Sequence, residues 1–379
     1  MGEWKEKQLC EIVDIGSSKR IFYKEYVPVG IPFYRSKEVI EKHNGKAIST
    51  ELHISIKKYN DIKEKFGVPV EGDILLTSVG TLGIPYIVQK DEKFYFKDGN
   101  LTWFRNFNNS LLNQFLYYWL ISPVGKGEID MVSIGSTQPA LTIRGLKGIT
   151  INTPPFPEQK AIASVLSSLD DKIDLLHRQN KTLEAIAETL FRQWFVEEAE
   201  EDWEEGCLGD VIELVYGKGL KEEIRTGTGY PVIGSSGVVG YHSEFLVEGP
   251  GIVIGRKGTL GKVIYLWDNF FPIDTTYYIK SKVESAGLLY EYFLLKTLNF
   301  EEMNSDSAVP GLNRDIALST EIKIAPLGKL QEFNQASSKF IDKMRENEKQ
   351  IRTLEKLRDT LLPKLMSGEV RVFMEGKKR

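Results

Sequence analysis

From Ile162 onward the apolar residues of this chain fall into an alternating four-and-three spacing: Ile162, Leu166, Leu169, Ile173, Leu176, Asn180, Leu183, Ala187, Leu190 and Trp194. A spacing that averages 3.5 residues keeps one side of a helix turned to a partner, so the stripe predicts a coiled-coil seam. Pro154, Pro155 and Pro157 mark its start. A second stripe has the same spacing: Phe333, Ser337, Phe340, Met344, Asn347, Ile351, Leu354, Arg358, Leu361 and Leu365. Two amphipathic helices packed only on their own domains would not require so regular a heptad. Elsewhere, short β-like runs at 74–78, 86–89, 252–254 and 262–266 alternate with glycine-containing turns, the texture of a mixed, mostly antiparallel sheet. One helix rich in aromatics is predicted in each half, at 111–121 and 288–298.

The halves are copies. Trp4 to Ser36 matches Trp203 to Ser235 at an offset of 199, through Leu9 and Leu208, Gly30 and Gly229, and Pro32 and Pro231. Gly80-Thr81-Leu82-Gly83 recurs as Gly258-Thr259-Leu260-Gly261 at 178, and from Pro139 with Pro310 to Leu190 with Leu361 the offset is 171. Such a pattern describes duplication followed by divergence of the loops, and two similar units imply two similar tasks. The first copy holds about 21 extra residues between Lys37 and Gly72, including a Lys-rich stretch from Lys57 to Lys65, where new specificity is expected.

Composition narrows the function. The 379 residues suit two domains of roughly 150 residues plus connecting helices. No run approaches 18 apolar residues and the start lacks a signal region, so a cytoplasmic protein is expected. Cys10 and Cys207 are expected to be free, and His43, His53, His177 and His242 make no metal-ligand spacing with them. The net charge of −4 hides a run of seven acids at 197–205, without which the remaining residues sum to +3. That run reads as a solvated linker.

Catalytic motifs do not survive inspection. Asn152-Thr153-Pro154-Pro155-Phe156 is similar to the base-holding loop of amino-methyltransferases, but Thr153 stands where an amide or carboxylate is needed, and no glycine-rich donor loop accompanies it. The string reads as a helix-start turn. Asp306 with Glu321-Ile322-Lys323 imitates a magnesium nuclease cluster, yet Glu-x-Lys also occurs at Glu3 and at Glu158. No Walker loop is present. Binding remains, and loops that read DNA need short or fork-shaped donors near cations. Three places per copy qualify. They are Ser17, Ser18, Lys19 and Arg20 with Lys218 and Lys221; Tyr34, Arg35, Ser36 and Lys37 with Ser235 and Ser236; and Thr77, Ser78 and Thr81 with Arg256, Lys257 and Thr259. For the last pair, a tight hairpin whose glycines only supply positive φ is an equal reading.

The order of these features resembles the DNA-specificity subunit of Type I restriction-modification enzymes over nearly the whole chain. The residues that carry the match are Trp4, Leu9, Gly30-Ile31-Pro32, the two Gly-Thr-Leu-Gly turns, Pro155-Phe156-Pro157-Glu158-Gln159, Asp171-Lys172-Ile173 and Leu361 to Gly368. The second copy departs at Gly328-Lys329-Leu330, which puts in doubt any partner contact made there by the Glu-Gln pair. The resemblance implies an α+β fold: two mixed α/β target-recognition domains separated by two long helices in an antiparallel coiled coil, with a pseudo-twofold internal repeat. The expected segments are recognition domains at 1–155 and 199–327, helices at 156–198 and 328–368, and a tail at 369–379. It implies a non-catalytic subunit that binds double-stranded DNA, methyltransferase (modification) subunits and ATP-dependent nuclease (restriction) subunits, with no membrane. It also implies no cofactor on this chain, the S-adenosylmethionine, ATP and magnesium lying on the partners. The other readings are a coiled-coil scaffold spacing two protein-binding heads, and a nuclease built on Asp306.

An antiparallel pairing sends the two recognition domains to opposite ends of the coil. The stripe from Ile162 to Trp194 spans roughly 50 Å at about 1.5 Å per residue. The DNA site is therefore expected to be split, with an unread spacer. Asn180 and Asn347, the sole amides of their stripes, are expected to pair and set a register in which facing numbers sum to 527.

Overall fold

The computed structural model describes residues 3–135, 137–283, 288–300, 303 and 311–372. The fold is α+β and divides into two units, Met1–Ile173 with Arg352–Arg379, and Asp174–Ile351. The long helices Phe156–Arg192 and Leu327–Ser367 each give a segment to both units. Among the described residues no helix is long and apolar enough to cross a membrane.

In the first unit a four-stranded antiparallel sheet has the order Asp14–Gly16, Leu101–Arg105, Ile74–Thr77, Pro85–Ile87. Successive side chains of a strand point to opposite faces. Ile74, Leu76 and Phe104 enter one core with Phe115, Leu116 and Trp119 of the helix Asn113–Ile121, while Leu75 and Trp103 enter another with Tyr34, Phe94 and Phe96. A strand buried on both faces must be apolar throughout, which accounts for the unbroken Ile-Leu-Leu run. The second unit repeats this with Ile212–Tyr216, Thr276–Ser281, Gly251–Gly255 and Val263–Leu266. Ile252 and Ile254 face the core that includes Phe293 of the helix Leu289–Thr297, and Val253 packs with Ile233 and Phe270.

A two-stranded ribbon closes each unit, Lys5–Gln8 with Thr150–Thr153 and Glu204–Cys207 with Glu321–Ile324. Thr153 is buried there, its hydroxyl donating to the Lys5 carbonyl at 3.0 Å. Glu321, Ile322 and Lys323 are ribbon residues, and Asp306 lies outside the described residues.

The units differ where the first carries its insertion. The hairpin Tyr230–Gly234 and Gly237–His242 of the second unit has no counterpart, because the first unit pairs Ile31–Tyr34 with the short strand His53–Ile54. The helices Ser36–His43 and Ile56–Phe66 flank that strand. The Lys-rich stretch is thus helical. Ser55 caps it, accepting from the Lys58 N–H at 3.1 Å, and Tyr59 and Ile62 are buried three residues apart on one face.

The stripes need a correction at their ends. Ala187 and then Phe191 are buried in the second unit, with Leu190 and Trp194 only partly so, and Gln193–Glu197 is π-helical. On the other helix Ile341 is buried beside half-buried Phe340, and Leu362 beside half-buried Leu361. A helix of 3.6 residues per turn drifts from a strict heptad, and near each recognition region the sheet-backed core covers its flank as well. Ile162 and Leu166 accordingly join the first unit's core together with Leu362, Leu365 and Met366. Arg358, a charged residue within the second stripe, pairs with Asp170 at 3.1 Å and Asp359 at 3.0 Å. Within the second unit the amide of Asn347 donates to Asn180 Oδ1 at 2.8 Å and to Gln179 Oε1 at 2.9 Å. That contact has the 527 register.

Candidate nucleic-acid interface

In each unit one short segment gathers the three candidate loops by hydrogen bonds. In the first unit it runs from Phe96 to Leu101. The Ser17 hydroxyl donates to the Leu101 carbonyl at 3.2 Å and the Ser18 hydroxyl to the Phe96 carbonyl at 2.7 Å. The Lys97 N–H donates to the Tyr34 carbonyl and the Ser78 N–H to the Asn100 carbonyl, both at 2.8 Å. In the second unit the segment runs from Pro272 to Thr276. It receives the N–H groups of Gly217, Lys218, Arg256 and Lys257 at 2.9–3.1 Å, and the Ile273 N–H donates to the Ile233 carbonyl at 2.9 Å. The main chain holds the second and third loops in both units, so most of their side chains are free to diverge; the first loop is held by the main chain in the second unit and by the Ser17 and Ser18 hydroxyls in the first. Gly217 of that loop is not free to diverge, since a Cβ there would lie 2.1 Å from the Ile273 carbonyl oxygen.

The Gly-Thr-Leu-Gly turns have left-handed glycines in both copies, with φ of 80° and 74° at Gly80 and Gly83, and 83° and 69° at Gly258 and Gly261. The turn reading therefore explains the glycines, and it leaves Thr81 and Thr259 exposed at the tips.

Not every candidate side chain can meet DNA. Tyr34 is buried and stacked on Phe94 with ring centres 4.2 Å apart, so it belongs to the core. Thr77 is buried and accepts from the Ile84 N–H, and Ser78 is buried with its hydroxyl 2.7 Å from that of Thr102. These three positions are corrected to structural ones: a donor sealed against water and already bonded has no free edge to offer. Ser17, Ser18 and Ser36 are half-buried and bonded to carbonyls of the gathering segment.

The two candidate arginines of the first unit are committed to carboxylates. Arg20 pairs with Asp98 at 2.8 Å, and Arg35 with the fully buried Glu38 at 2.9 Å, which holds the Arg35 guanidinium above its usual range. To grip a base edge Arg35 must share its fork with Glu38. Lys19 sits 4.6 Å above the Phe66 ring and Lys37 lies 3.8 Å from Glu41, both exposed.

The second unit presents more open cations. Lys218, Lys221 and Lys257 are exposed, Ser236 is exposed, and half-buried Ser235 lies against the Gly258 turn. Arg256 stacks on two rings, its guanidinium carbon 4.9 Å from the centre of Tyr216 and 5.7 Å from that of Tyr277. Burial pushes the Tyr277 phenol up to about 12, so it stays a neutral donor to the Leu312 carbonyl at 3.1 Å. The sequence reasoning missed Tyr216, Tyr277 and Arg314. The signal available was the replacement of Ser17 and Thr102 of the first copy by tyrosines, and of Ile143 by arginine, at matching positions.

The family model described as the Type I restriction modification DNA specificity domain matches residues 1–185 and 200–356. The Type I restriction enzyme MjaIX specificity subunit of Methanocaldococcus jannaschii is 27% identical over 98% of this chain and 94% of its own length. A putative type I specificity subunit of Mycoplasma genitalium is 28% identical over 96% and 93% respectively. The crystal structure of the S subunit of a Type I restriction-modification system from M. genitalium superposes with a TM-score of 0.62 at 20% identity, covering 99% of this chain and 97% of that one. That likeness is one of fold.

Proposed function

Since this chain belongs to the Type I restriction-modification DNA-specificity family, we propose that it reads a split DNA site, each unit taking one half, and directs separate methyltransferase and nuclease subunits to it. The observation that carries this reading is the double set of gathered loops, in which the main-chain bonds of the second and third loops repeat while Ser17, Arg20, Arg35, Lys37 and Ser78 give way to Tyr216, Gly219, Gly234, Ser236 and Arg256. Repetition of the frame with divergence of its tips is what two independent readers of different short sequences require. Lysines at the loops meet phosphate and position the units; fork-shaped and hydroxyl side chains read base edges.

In this proposal the chain supplies no catalytic group and holds no cofactor, and S-adenosylmethionine, ATP and magnesium act on the partner subunits. Thr153 supports that part: in the loop similar to a methyltransferase motif its side chain is turned to the ribbon, not to a base. Methylation sequencing of a host with and without the chain tests the function. A split methylated motif that appears only with the chain is expected, and an unchanged pattern contradicts it. Purified alone, the chain is expected neither to methylate nor to cut DNA, with or without magnesium.

A further inference from the structure

One cluster in the second unit has no counterpart in the first. Tyr216 ends the strand Ile212–Tyr216, and its ring lies 5.0 Å from that of Tyr277 on the neighbouring strand. Arg256 stacks on both, with Nη1 donating to the Asp274 carbonyl at 3.1 Å. Its own carbonyl accepts from the Leu312 N–H at 3.0 Å, which draws the start of the helix Arg314–Leu318 alongside. Arg314 places its guanidinium carbon 6.0 Å from the same Tyr216 ring, and its Nε is buried with no hydrogen-bond partner among the described residues. Neither arginine is paired with a carboxylate among the described residues, in contrast to Arg20 and Arg35.

Strand pairing identifies the matching positions of the first unit. Gly255 pairs with Thr276 as Thr77 pairs with Leu101, so Arg256 corresponds to Ser78 and Tyr277 to Thr102. Tyr216 corresponds to Ser17, and Arg314 to Ile143, the first residue of the helix Ile143–Gly148. The first unit fills this place with small hydroxyls that bond each other and a carbonyl; the second fills it with two guanidiniums around a half-exposed ring.

We infer that Arg256 and Arg314, held at Tyr216, form the specificity-determining grip of the second unit and read a guanine in the major groove of the half-site that this unit binds. The inference rests on the DNA-reading function proposed above. Stacking fixes the plane of a guanidinium and lowers the entropy lost when its fork engages, and the fork matches the O6 and N7 acceptors of guanine. Two cations brought to one ring repel each other, and an acceptor-rich edge relieves that repulsion. The self-bonded Ser78–Thr102 pair offers no such fork, so the first half-site is read by other means.

The experiment uses the full chain with its modification subunits, and duplexes carrying the motif found by methylation sequencing. Each guanine of the second half-site is replaced in turn by 7-deazaguanine, which lacks the N7 acceptor. At one guanine, weakening of about ten-fold is expected for the unmodified chain. Arg256→Lys and Arg314→Lys keep the charge and lose the fork. The complex with either substitution is expected to bind the natural duplex about ten-fold more weakly, to show no further loss on the 7-deaza duplex, and to relax preference at that position alone. A uniform loss on all sequences, accompanied by a shallower salt dependence, overturns the inference in favour of phosphate contact. So does relaxation in the first half-site, an unchanged motif, or a second half-site without guanine. If the unmodified complex recognises no split motif at all, the proposed function fails; if it does and these substitutions leave the motif intact, only the grip fails.

Discussion

The two units solve the same problems with different residues. In each, the short apolar helix begins with an N–H that must be satisfied inside the protein. In the first unit the Leu112 N–H donates to Gln159 Oε1 at 2.8 Å, and the same side chain donates to the carbonyls of Ser110 and Pro154. In the second unit the position matching Gln159 is Leu330, and Asn334, one turn further along the helix, accepts from the Tyr290 N–H at 3.1 Å. What persists is the paired donor, not the residue. A second clamp follows the same rule: Tyr118 donates to Asp170 in one unit, and Tyr292 to Glu184 in the other. Glu158, suspected of partner contact on sequence grounds, is buried against Arg371, and Gln159 is wholly buried, so both act within the first unit. The second and third loops show the opposite behaviour: their main-chain bonds are retained, while Arg35 becomes Gly234 and Ser78 becomes Arg256.

The comparison can be broken most forcefully in the second unit's core. Phe191 is 1% exposed and packs on Tyr290, Phe293 and Phe333, so Phe191→Ala is expected to cost about 3–5 kcal/mol. Hydrogen exchange should place the lost protection in the strands between Glu204 and Ile324, and equal loss in the first unit would mean that the units do not behave as separate bodies. Next come the caps. Gln159→Leu strands the Leu112 N–H and two carbonyls and is expected to cost about 1–3 kcal/mol in chemical denaturation, against about 1 kcal/mol for Asn334→Leu. The reverse ranking would refute the equivalence of the two caps.

Asn347 is fully buried, and its Oδ1 has no hydrogen-bond partner among the described residues. Replacing Asn180 and Asn347 together by Leu is expected to raise the melting midpoint while admitting slipped pairings, visible as new intermolecular cross-links. The smallest effect concerns pH. Burial works against the charge of Glu184, but hydrogen bonds from Tyr292 and Lys296 outweigh it and hold its carboxyl below the usual range. A depressed carboxylate contributes stability that is present above its ordinary value of about 4.3 and is lost as pH falls through the folded value. Glu184→Gln is therefore expected to lower stability at neutral pH and to flatten its acid limb, whereas an unchanged acid limb would discharge Glu184 from that role.

The larger features were legible because they rest on periodicity. Ile74 to Leu76 and Ile252 to Ile254 are strands, and both aromatic helices lie within a residue or two of their expected bounds. The seam was legible only at its centre: near Phe191 and Leu362 the neighbouring cores decide which face is buried, and no single-helix pattern contains that information. The candidate site was legible as loops and not as side chains. Ser78 and Arg256 occupy matching places, yet one is sealed by Thr102 and the other opens onto Tyr216, a distinction that depends on residues some twenty to forty positions away.

The claim that each unit reads its own half of a split site is tested most directly by exchanging residues 1–155 for the matching region of another family member and sequencing the methylated bases in the host. The account predicts that one half of the motif changes and the other half is retained at its former spacing. A motif altered in both halves, or in neither, would contradict it.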